Sequence, residues 1–84
     1  MFYVYVLKSQ NSDKIYIGRT SNLKSRWKQH ILGKTYTTRR MKNLKLIFYE
    51  AFLAKKDSIR RERYFKTSKG RSSLKQIIRF SLIE

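Results

Sequence analysis

Three stretches of the chain gather aromatic and β-branched residues into short apolar runs, a pattern that predicts β-strands. They are "FYVYVLKS" (2–9), "KIYIGRT" (14–20) and "LKLIFYEAF" (44–52). The polar run "QNSD" (10–13), between the first two, consists of residues that favour turns. The sequence therefore predicts a β-hairpin, followed after a longer connection by a third strand.

Side chains alternate along a strand, so the hairpin register decides which residues become neighbours. If Tyr5 pairs with Tyr16, residues 9–12 form a four-residue loop, which is a common hairpin length. The two tyrosines would then lie side by side on one face. On the third strand, Glu50 falls on the face of Leu46 and Phe48 by the same alternation.

Apolar residues recur every four positions after the hairpin and predict a first helix. Leu23, Trp27 and Ile31 form its apolar stripe. Thr20, Ser21 or Asn22 could cap its start, and Gly33 is a suitable end. The following segment, "KTYTTRRMKN" (34–43), has no apolar period and carries four basic residues, so we expect an exposed loop.

Two further helices are predicted in the last third of the chain. "KKDSIRRERYFKTS" (55–68) is the second helix, started by Asp57 or Ser58 and broken by Gly70. "SSLKQIIRFSLIE" (72–84) is the third, with an apolar face of Leu74, Ile77, Ile78 and Leu82. The order β-β-α-β-α-α predicts an α+β fold, with a small, mostly antiparallel three-stranded sheet flanked by helices.

Length and composition bound the class of protein. The 84 residues suggest one small domain over residues 1–84. There is no cysteine, which excludes disulfides and thiolate metal sites and fits a cytoplasmic protein. The apolar start, residues 1–7, is too short for a signal-peptide core or a membrane span, so we expect no membrane partner.

The charge points to a polyanionic partner. Twenty-one Lys and Arg face five Asp and Glu, a formal net charge of +16. A compact fold gains nothing from this self-repulsion, and nucleic acid is the usual compensating partner. The basic residues run from Lys8 to Arg79 and form no tail, so we expect a charged folded surface and association with the nucleoid.

Four candidate site residues are predicted to converge. Tyr5 and Tyr16 share a hairpin face, while Arg26 and His30 lie four residues apart and project from one side of the first helix. Each observation has a simpler explanation: cross-strand aromatic pairs stabilise sheets, and a helix flank carries solvated polar residues. His30 is the only histidine, so a His-rich metal site is excluded.

Acidic residues are too few for a two-metal centre, which needs clustered carboxylates. Of the five, Glu62 lies in the interior of the second predicted helix, in "RRERYF". It could pair with Lys66 at i,i+4, worth about 0.2–0.5 kcal/mol. A single glutamate could instead hold one Mg²⁺ through water and substrate phosphate.

In sequence the chain resembles the GIY-YIG nuclease domain, especially short bacterial members related to the UvrC-type repair domain. The resemblance runs from about Phe2 to about Ile78. Its elements are "YVY" (3–5), "YIG" (16–18), the run "GRTSNLKSRWKQH" (18–30) and "RERYFK" (61–66), in the family's order and spacing.

The resemblance implies roles for these positions. Tyr5 and Tyr16 would sit at the centre of the site, one of them activating or positioning the attacking water. Arg26 would contact the scissile phosphate, and His30 would bond to a catalytic group or phosphate. Glu62 would anchor one divalent cation, Mg²⁺ or Mn²⁺. The sequence leaves open which tyrosine is the base.

DNA contacts are expected from four further cations, Arg19, Arg39, Arg40 and Lys66. The chain is too short for an added base-reading module, so we expect structure-dependent or weakly selective DNA cleavage in repair or recombination. The DNA could be branched, nicked or partly single-stranded, and a partner protein could supply target choice. The alternatives are a catalytically weak DNA- or RNA-binding module on the same fold and a basic RNA- or ribosome-associated protein.

Overall fold

The structure is a computed structural model that describes all 84 residues. Its elements are β1 (Phe2–Ser9), β2 (Ile15–Thr20), α1 (Leu23–Ile31), β3 (Leu44–Phe52), α2 (Lys55–Phe65), α3 (Ser68–Ile77) and a 3₁₀ turn (Ser81–Ile83). The three strands form one antiparallel sheet in the order β2-β1-β3. The predicted α+β class and element order are confirmed. All the helices are too short and too polar to cross a lipid bilayer.

The hydrophobic core lies on one face of the sheet, under α2 and α3. Val4 and Val6 from β1 and Ile17 from β2 pack there against Phe65, Leu74 and Ile78. Helix α1 lies against the opposite face, where Tyr5 and Leu7 are buried and the Tyr5–His30 hydrogen bond joins the helix to the sheet. The sheet thus separates an apolar core from a face, here called the polar face, on which buried polar groups accompany apolar ones.

The hairpin register differs from the predicted one by two residues. Tyr5 pairs with Gly18 and Leu7 pairs with Tyr16, so the four-residue loop is 10–13 instead of 9–12. Ser9 remains in the strand because it is buried and its hydroxyl donates to the Lys42 carbonyl at 2.7 Å. A shift of two preserves the face of every side chain, so the tyrosines are diagonal neighbours.

A β-bulge redirects the third strand. Val6 pairs with Phe48, but Leu7 pairs with Leu46, which leaves one extra residue in β3. Phe48 and Glu50 therefore face α2, whereas Leu46 faces α1. The prediction that Glu50 shares the face of both Leu46 and Phe48 is wrong for Leu46.

Helix α1 has the predicted boundaries but buries a different face. The Asn22 side chain accepts from the Ser25 N–H at 3.0 Å, and Gly33 at φ +71 closes the helix by donating to the His30 carbonyl. Ile31 is 55% exposed, while His30 is 2% exposed. The expectation that Ile31 lies on the buried face is wrong, and so is the alternative of a solvated flank for His30.

The last helices begin earlier than predicted. Helix α2 has Ala54 at its N-cap, with Asp57 already in the first turn. Thr67 caps α3 by accepting the Gly70 N–H at 3.0 Å, so the break lies before Gly70 and not at it. A Cβ on Gly70 would overlap the Tyr64 carbonyl, which is why this buried position lacks a side chain.

The predicted apolar face of the third helix is largely correct. Leu74 and Ile78 are buried in the core, and Leu82 is partly buried against it. Ile77 is 49% exposed, because the helix ends there and the chain continues into the 3₁₀ turn.

Candidate active site

The candidate site is built on the paired strands β1 and β2. The Tyr5 phenol lies across Gly18, its strand partner: a Cβ added to Gly18 would come within 2.5 Å of Tyr5 Cζ and Oη and 2.7 Å of Tyr16 Cε2. Real Cβ atoms do not approach other atoms so closely. Gly18 therefore provides the space in which the two tyrosine rings meet.

Helix α1 adds His30 to this pair of rings. The ring centroid of His30 lies 5.6 Å from that of Tyr5 and 5.3 Å from that of Tyr16, and the two tyrosine centroids are 6.1 Å apart. His30 Nε2 lies 2.8 Å from Tyr5 Oη. Three aromatic side chains from three elements thus pack around one buried hydrogen bond.

The loop after α1 completes the chain of hydrogen bonds. Thr38 Oγ1 lies 2.6 Å from His30 Nδ1, and Thr38 is fully buried. Thr35 is buried as well. The expectation of a wholly exposed loop over residues 34–43 is therefore wrong, because this segment folds back over the imidazole. The aperiodic pattern of the segment carries no signal that singles out Thr38.

Burial fixes the protonation of this chain at neutral pH. Burial, helped by the Arg26 charge, lowers the pKa of His30 and keeps the imidazole neutral. Burial also raises the pKa of Tyr5 to about 12, against the opposing effect of Arg26, so the phenol keeps its proton. Because a guanidinium only donates, the Tyr5 hydroxyl beside it is best placed to donate to Nε2, leaving Nδ1–H to donate to Thr38.

Arg26 lies one turn before His30 and supplies the fixed positive charge. It is half-buried, and its Nη1 donates to Gln29 Oε1 at 2.8 Å. Hydrogen bonding to Tyr5 raises the pKa of Arg26 further, so the guanidinium is permanently charged. The structure therefore brings together Tyr5, Tyr16, Arg26 and His30.

Tyr16 is the tyrosine that reaches the surface. It is half-exposed, whereas Tyr5 is 1% exposed. Tyr16 also lines a cleft of about 620 Å³ beside the hairpin loop, here called the hairpin cleft. Four cationic residues line the same cleft: Lys14, Arg40, Lys42 and Arg71. A polyanion entering the cleft would meet mainly positive charge.

Glu62 is held apart from the four clustered residues. It lies on α2, which packs on the opposite face of the sheet, and there its Oε1 is 3.6 Å from Arg19 Nε. Its Oε2 accepts from Lys66 Nζ at 3.2 Å, the predicted i,i+4 pair. The Glu62 side chain is 20% exposed. Arg19 and Glu62 meet at β2, the edge strand that also carries Tyr16.

Glu50 and Glu62 differ in how many of their carboxylate oxygens accept hydrogen bonds. Both carboxylate oxygens of Glu50 accept from Arg61, at 2.9 and 3.2 Å. Glu62 has one hydrogen bond and one longer ion pair. Arg19 Nε is buried and has no hydrogen-bond acceptor. An anion or another oxygen acceptor bound at this edge would accept a hydrogen bond from this N–H group.

Any metal site in this chain would rest on one or two carboxylates and not on a cluster. No group of three or more His, Cys, Asp or Glu side chains converges anywhere in the chain. Mg²⁺ is often bound by one or two carboxylates, with water and substrate phosphate completing its shell. The Glu62 and Glu50 side chains are each partly exposed, at 20% and 28%, but both Glu50 oxygens accept from Arg61, so the less engaged Glu62 suits that arrangement better.

The remaining predicted DNA contacts lie at the periphery. Arg39 stacks over the Tyr36 ring, with its Cζ 4.5 Å from the ring centroid, and both residues are exposed. Arg40, next to it, lines the hairpin cleft with Tyr16. Lys66 is half-exposed beside Glu62. Both loop arginines therefore border the clustered site residues, since Arg40 shares a cleft with Tyr16 and Arg39 shares one with His30.

Comparison with known proteins agrees with this geometry. The family described as the GIY-YIG catalytic domain matches residues 1–75. The UPF0213 protein SH2523 of Staphylococcus haemolyticus is 35% identical over 77 residues, which cover 89% of this chain and 92% of that protein. No solved structure matches significantly. The chain therefore belongs to the GIY-YIG family, a family of nucleases.

Proposed function

We propose that residues 1–84 form one GIY-YIG nuclease domain that hydrolyses phosphodiester bonds in DNA and depends on a divalent metal ion. One observation carries this proposal. The partly exposed Tyr16 packs against the buried Tyr5–His30 pair, Arg26 places its charge at the same cluster, and Tyr16 lines a cleft that also carries cations. This arrangement joins a water-positioning group to a phosphate-binding group at one point of the surface.

Tyr16 is the residue that positions and activates the attacking water. Tyr5 is unsuited to that role because its hydroxyl is buried, bonded to His30 and held protonated by a pKa of about 12. The Tyr16 phenol reaches the surface, where its hydroxyl oxygen can accept a hydrogen bond from the attacking water and orient it toward the phosphate.

Arg26 binds the scissile phosphate. Hydrolysis adds negative charge to the phosphoryl oxygens in the transition state, so a cation already fixed in place lowers the barrier. Because Gln29 holds the guanidinium and Tyr5 faces it, little reorganisation is needed when charge develops. Arg40 and Lys42 in the hairpin cleft add contacts to flanking phosphates.

Tyr5, His30 and Thr38 act as positioning residues. Their hydrogen bonds fasten α1 to the sheet, and so set the distance between Arg26 on the helix and Tyr16 on β2. A neutral imidazole suits this role because it adds no second positive charge beside Arg26. Gly18 contributes by leaving room for the Tyr5 phenol.

Glu62 is the residue that would hold the metal ion. When bound, the ion supplies a Lewis acid for the phosphoryl oxygens and eases departure of the leaving oxygen. Arg19 and Lys66 pair with Glu62 and would add positive charge beside a phosphate bound there.

The substrate is DNA recognised through its backbone. Phosphate contacts give affinity without sequence information. Target choice therefore comes from DNA structure, from a partner protein or from both, as expected of a cytoplasmic enzyme in repair or recombination.

Cleavage of a DNA panel tests the proposal. Duplex, nicked, flapped and branched DNA, with RNA of matched structure, is incubated with and without Mg²⁺. We expect Mg²⁺-dependent cleavage of DNA. Failure to cleave any member under any metal condition would leave only the nucleic-acid-binding alternative.

Glu62→Gln tests the metal ligand within the same assay. Gln keeps the size of the side chain and removes its charge, so cleavage should collapse while DNA binding persists or strengthens. Glu50→Gln is the matched control, checked for folding because it loses the Arg61 pair. Normal cleavage by Glu62→Gln together with loss of activity in Glu50→Gln would move the metal to the other acid.

A further inference from the structure

A second concave surface lies on the polar face of the sheet, beside the proposed active site. It is formed between the N-terminal half of α1 and strands β1 and β3, and its volume is about 430 Å³. Three aromatic residues line it, Tyr3, Trp27 and Tyr49. We call it the aromatic groove. Its volume lies within the range of about 300–1,000 Å³ usual for ligand sites.

The aromatic groove is lined mainly by apolar and aromatic side chains and carries little positive charge. Leu23 and Leu46 complete its apolar wall, and Lys24 is the only charged residue that lines it. Tyr3 and Tyr49 meet edge to face, with ring centroids 6.0 Å apart, and Tyr49 is 54% exposed. An exposed aromatic face beside a cation suits a flat, electron-rich ring that carries a negative charge nearby.

The groove lies next to the residues that would bind the scissile phosphate. Tyr49 is the strand partner of Tyr5 on β3, and Tyr3 precedes Tyr5 by two residues on the same face. Trp27 directly follows Arg26 on α1. Neighbouring strands lie about 4.8 Å apart and alternate residues about 7 Å apart. The groove therefore lies within one or two nucleotides of the Arg26 site.

We propose that the aromatic groove binds an unpaired base of the DNA strand whose neighbouring phosphate is held by Arg26, a proposal that rests on the proposed nuclease function. Proteins that hold single-stranded nucleic acid combine a cationic track with aromatic rings on which bases stack. Here the cationic track is the hairpin cleft with Arg26, and the aromatic rings are those of the groove. Bases within a duplex are already stacked and cannot enter.

The aromatic groove would give this domain a means of choosing its DNA target. Stacking tolerates every base because each has a π-face, so the groove selects strand structure and not sequence. Cleavage would favour DNA with an unpaired nucleotide next to the scissile phosphate, as in flaps and branch points.

The single tryptophan of the chain makes the proposal directly measurable. Trp27 lines the groove, and no other tryptophan contributes to the fluorescence signal. The unmodified protein is titrated, without metal, with a 15-nucleotide oligothymidylate and with an abasic strand carrying the same phosphates. We expect thymidylate to quench Trp27 emission and to bind about ten-fold more tightly than the abasic strand.

Tyr49→Thr removes one stacking ring and keeps a residue suited to a strand. Because Tyr49 is largely exposed, folding should be retained, which a melting curve checks. Thymidylate affinity should fall about ten-fold while affinity for the abasic strand stays the same. Phe80→Leu is the matched control: Phe80 is 68% exposed but lies beyond α3, away from the groove, and should change neither affinity.

Equal affinity of the unmodified protein for the two strands, or an unchanged Tyr49→Thr variant, would overturn the proposal. Tighter binding of oligouridylate than of thymidylate would overturn the choice of DNA as its occupant. Failure of the nuclease function is seen separately: a protein that discriminates between the strands but cleaves no DNA contradicts only the function. Cleavage of duplex DNA without discrimination contradicts only the groove.

Discussion

Tyr5→Phe and Tyr16→Phe remove the same atom from two tyrosines whose surroundings differ. Tyr5 Oη is buried 2.8 Å from His30 Nε2, so its removal leaves a buried ring nitrogen without a partner. Such a loss costs about 1–3 kcal/mol. Tyr16 is partly exposed and Phe keeps its ring contacts, so we expect its substitution to change stability by no more than about 0.5 kcal/mol. The sequence had led us to expect activity loss without a change in melting temperature in at least one variant; the structure assigns that behaviour to Tyr16.

The expected readouts are thermal melting and single-turnover DNA cleavage. For a domain of this size, 1 kcal/mol lowers the melting temperature by about 4–8 °C. Tyr5→Phe should therefore melt roughly 5–20 °C lower, with cleavage reduced because α1 is less firmly held. Tyr16→Phe should melt like the unmodified protein and lose most of its cleavage.

Two results would refute this reasoning. If Tyr5→Phe keeps its melting temperature and loses all activity, Tyr5 rather than Tyr16 handles the water. If Tyr16→Phe cleaves at the normal rate, the accessible tyrosine has no part in the chemistry and serves only to pack against Tyr5 and His30.

Gly18→Ala should lower the free energy of unfolding by about 1–3 kcal/mol and abolish cleavage, because the added Cβ collides with Tyr5. In Gly33→Ala the added Cβ meets no atom, so this control should lose only about 1 kcal/mol of stability, because of its positive φ, and keep its activity. Melting and cleavage assays on both variants check this. Stability should fall as the pH drops below about 6.5, because the unfolded chain takes up a proton that buried His30 resists, and full stability lies above that pH. His30→Gln, measured by denaturant unfolding across this range, should lack the dependence, since His30 is the only histidine. DNA affinity should fall log-linearly with salt, and Arg40→Ala should reduce the slope by about 1; affinity that ignores salt would contradict the electrostatic contribution.

The strands and the first helix were predictable because each is specified locally. Short runs of aromatic and β-branched residues define β1, β2 and β3, and the Asn22 cap and Gly33 end define α1 within a few residues of sequence. The family motifs are also contiguous in sequence, although the run 18–30 crosses from β2 into α1, so their order could be read before the fold was known.

The register and the buried side of α1 were not predictable, because distant contacts decide them. Ser9 is held in its strand by the Lys42 carbonyl, 33 residues away, and that contact shifts the hairpin loop by one residue. His30 is buried because Tyr5 and Thr38 satisfy both of its ring nitrogens. An apolar-stripe analysis cannot anticipate a helix that is anchored by a histidine.

The position of Glu62 illustrates the same limit. The sequence identifies it as the one acid in a helix interior, but only the sheet faces show that it sits with Arg19 across the sheet from His30. Its carboxylate lies beside β2, the edge strand that also carries Tyr16, and not on the polar face.

The central claim is that Arg26 stabilises phosphodiester hydrolysis at this site. Its most direct test is the single-turnover rate of DNA cleavage in Mg²⁺ for the unmodified protein, Arg26→Ala and Lys28→Ala. Lys28 is an exposed cation on the same helix, so its removal matches the charge change without touching the site. We expect Mg²⁺-dependent cleavage by the unmodified protein and by Lys28→Ala, and no cleavage by Arg26→Ala. Equal rates for the two variants, or cleavage by Arg26→Ala at the unmodified rate, would contradict it.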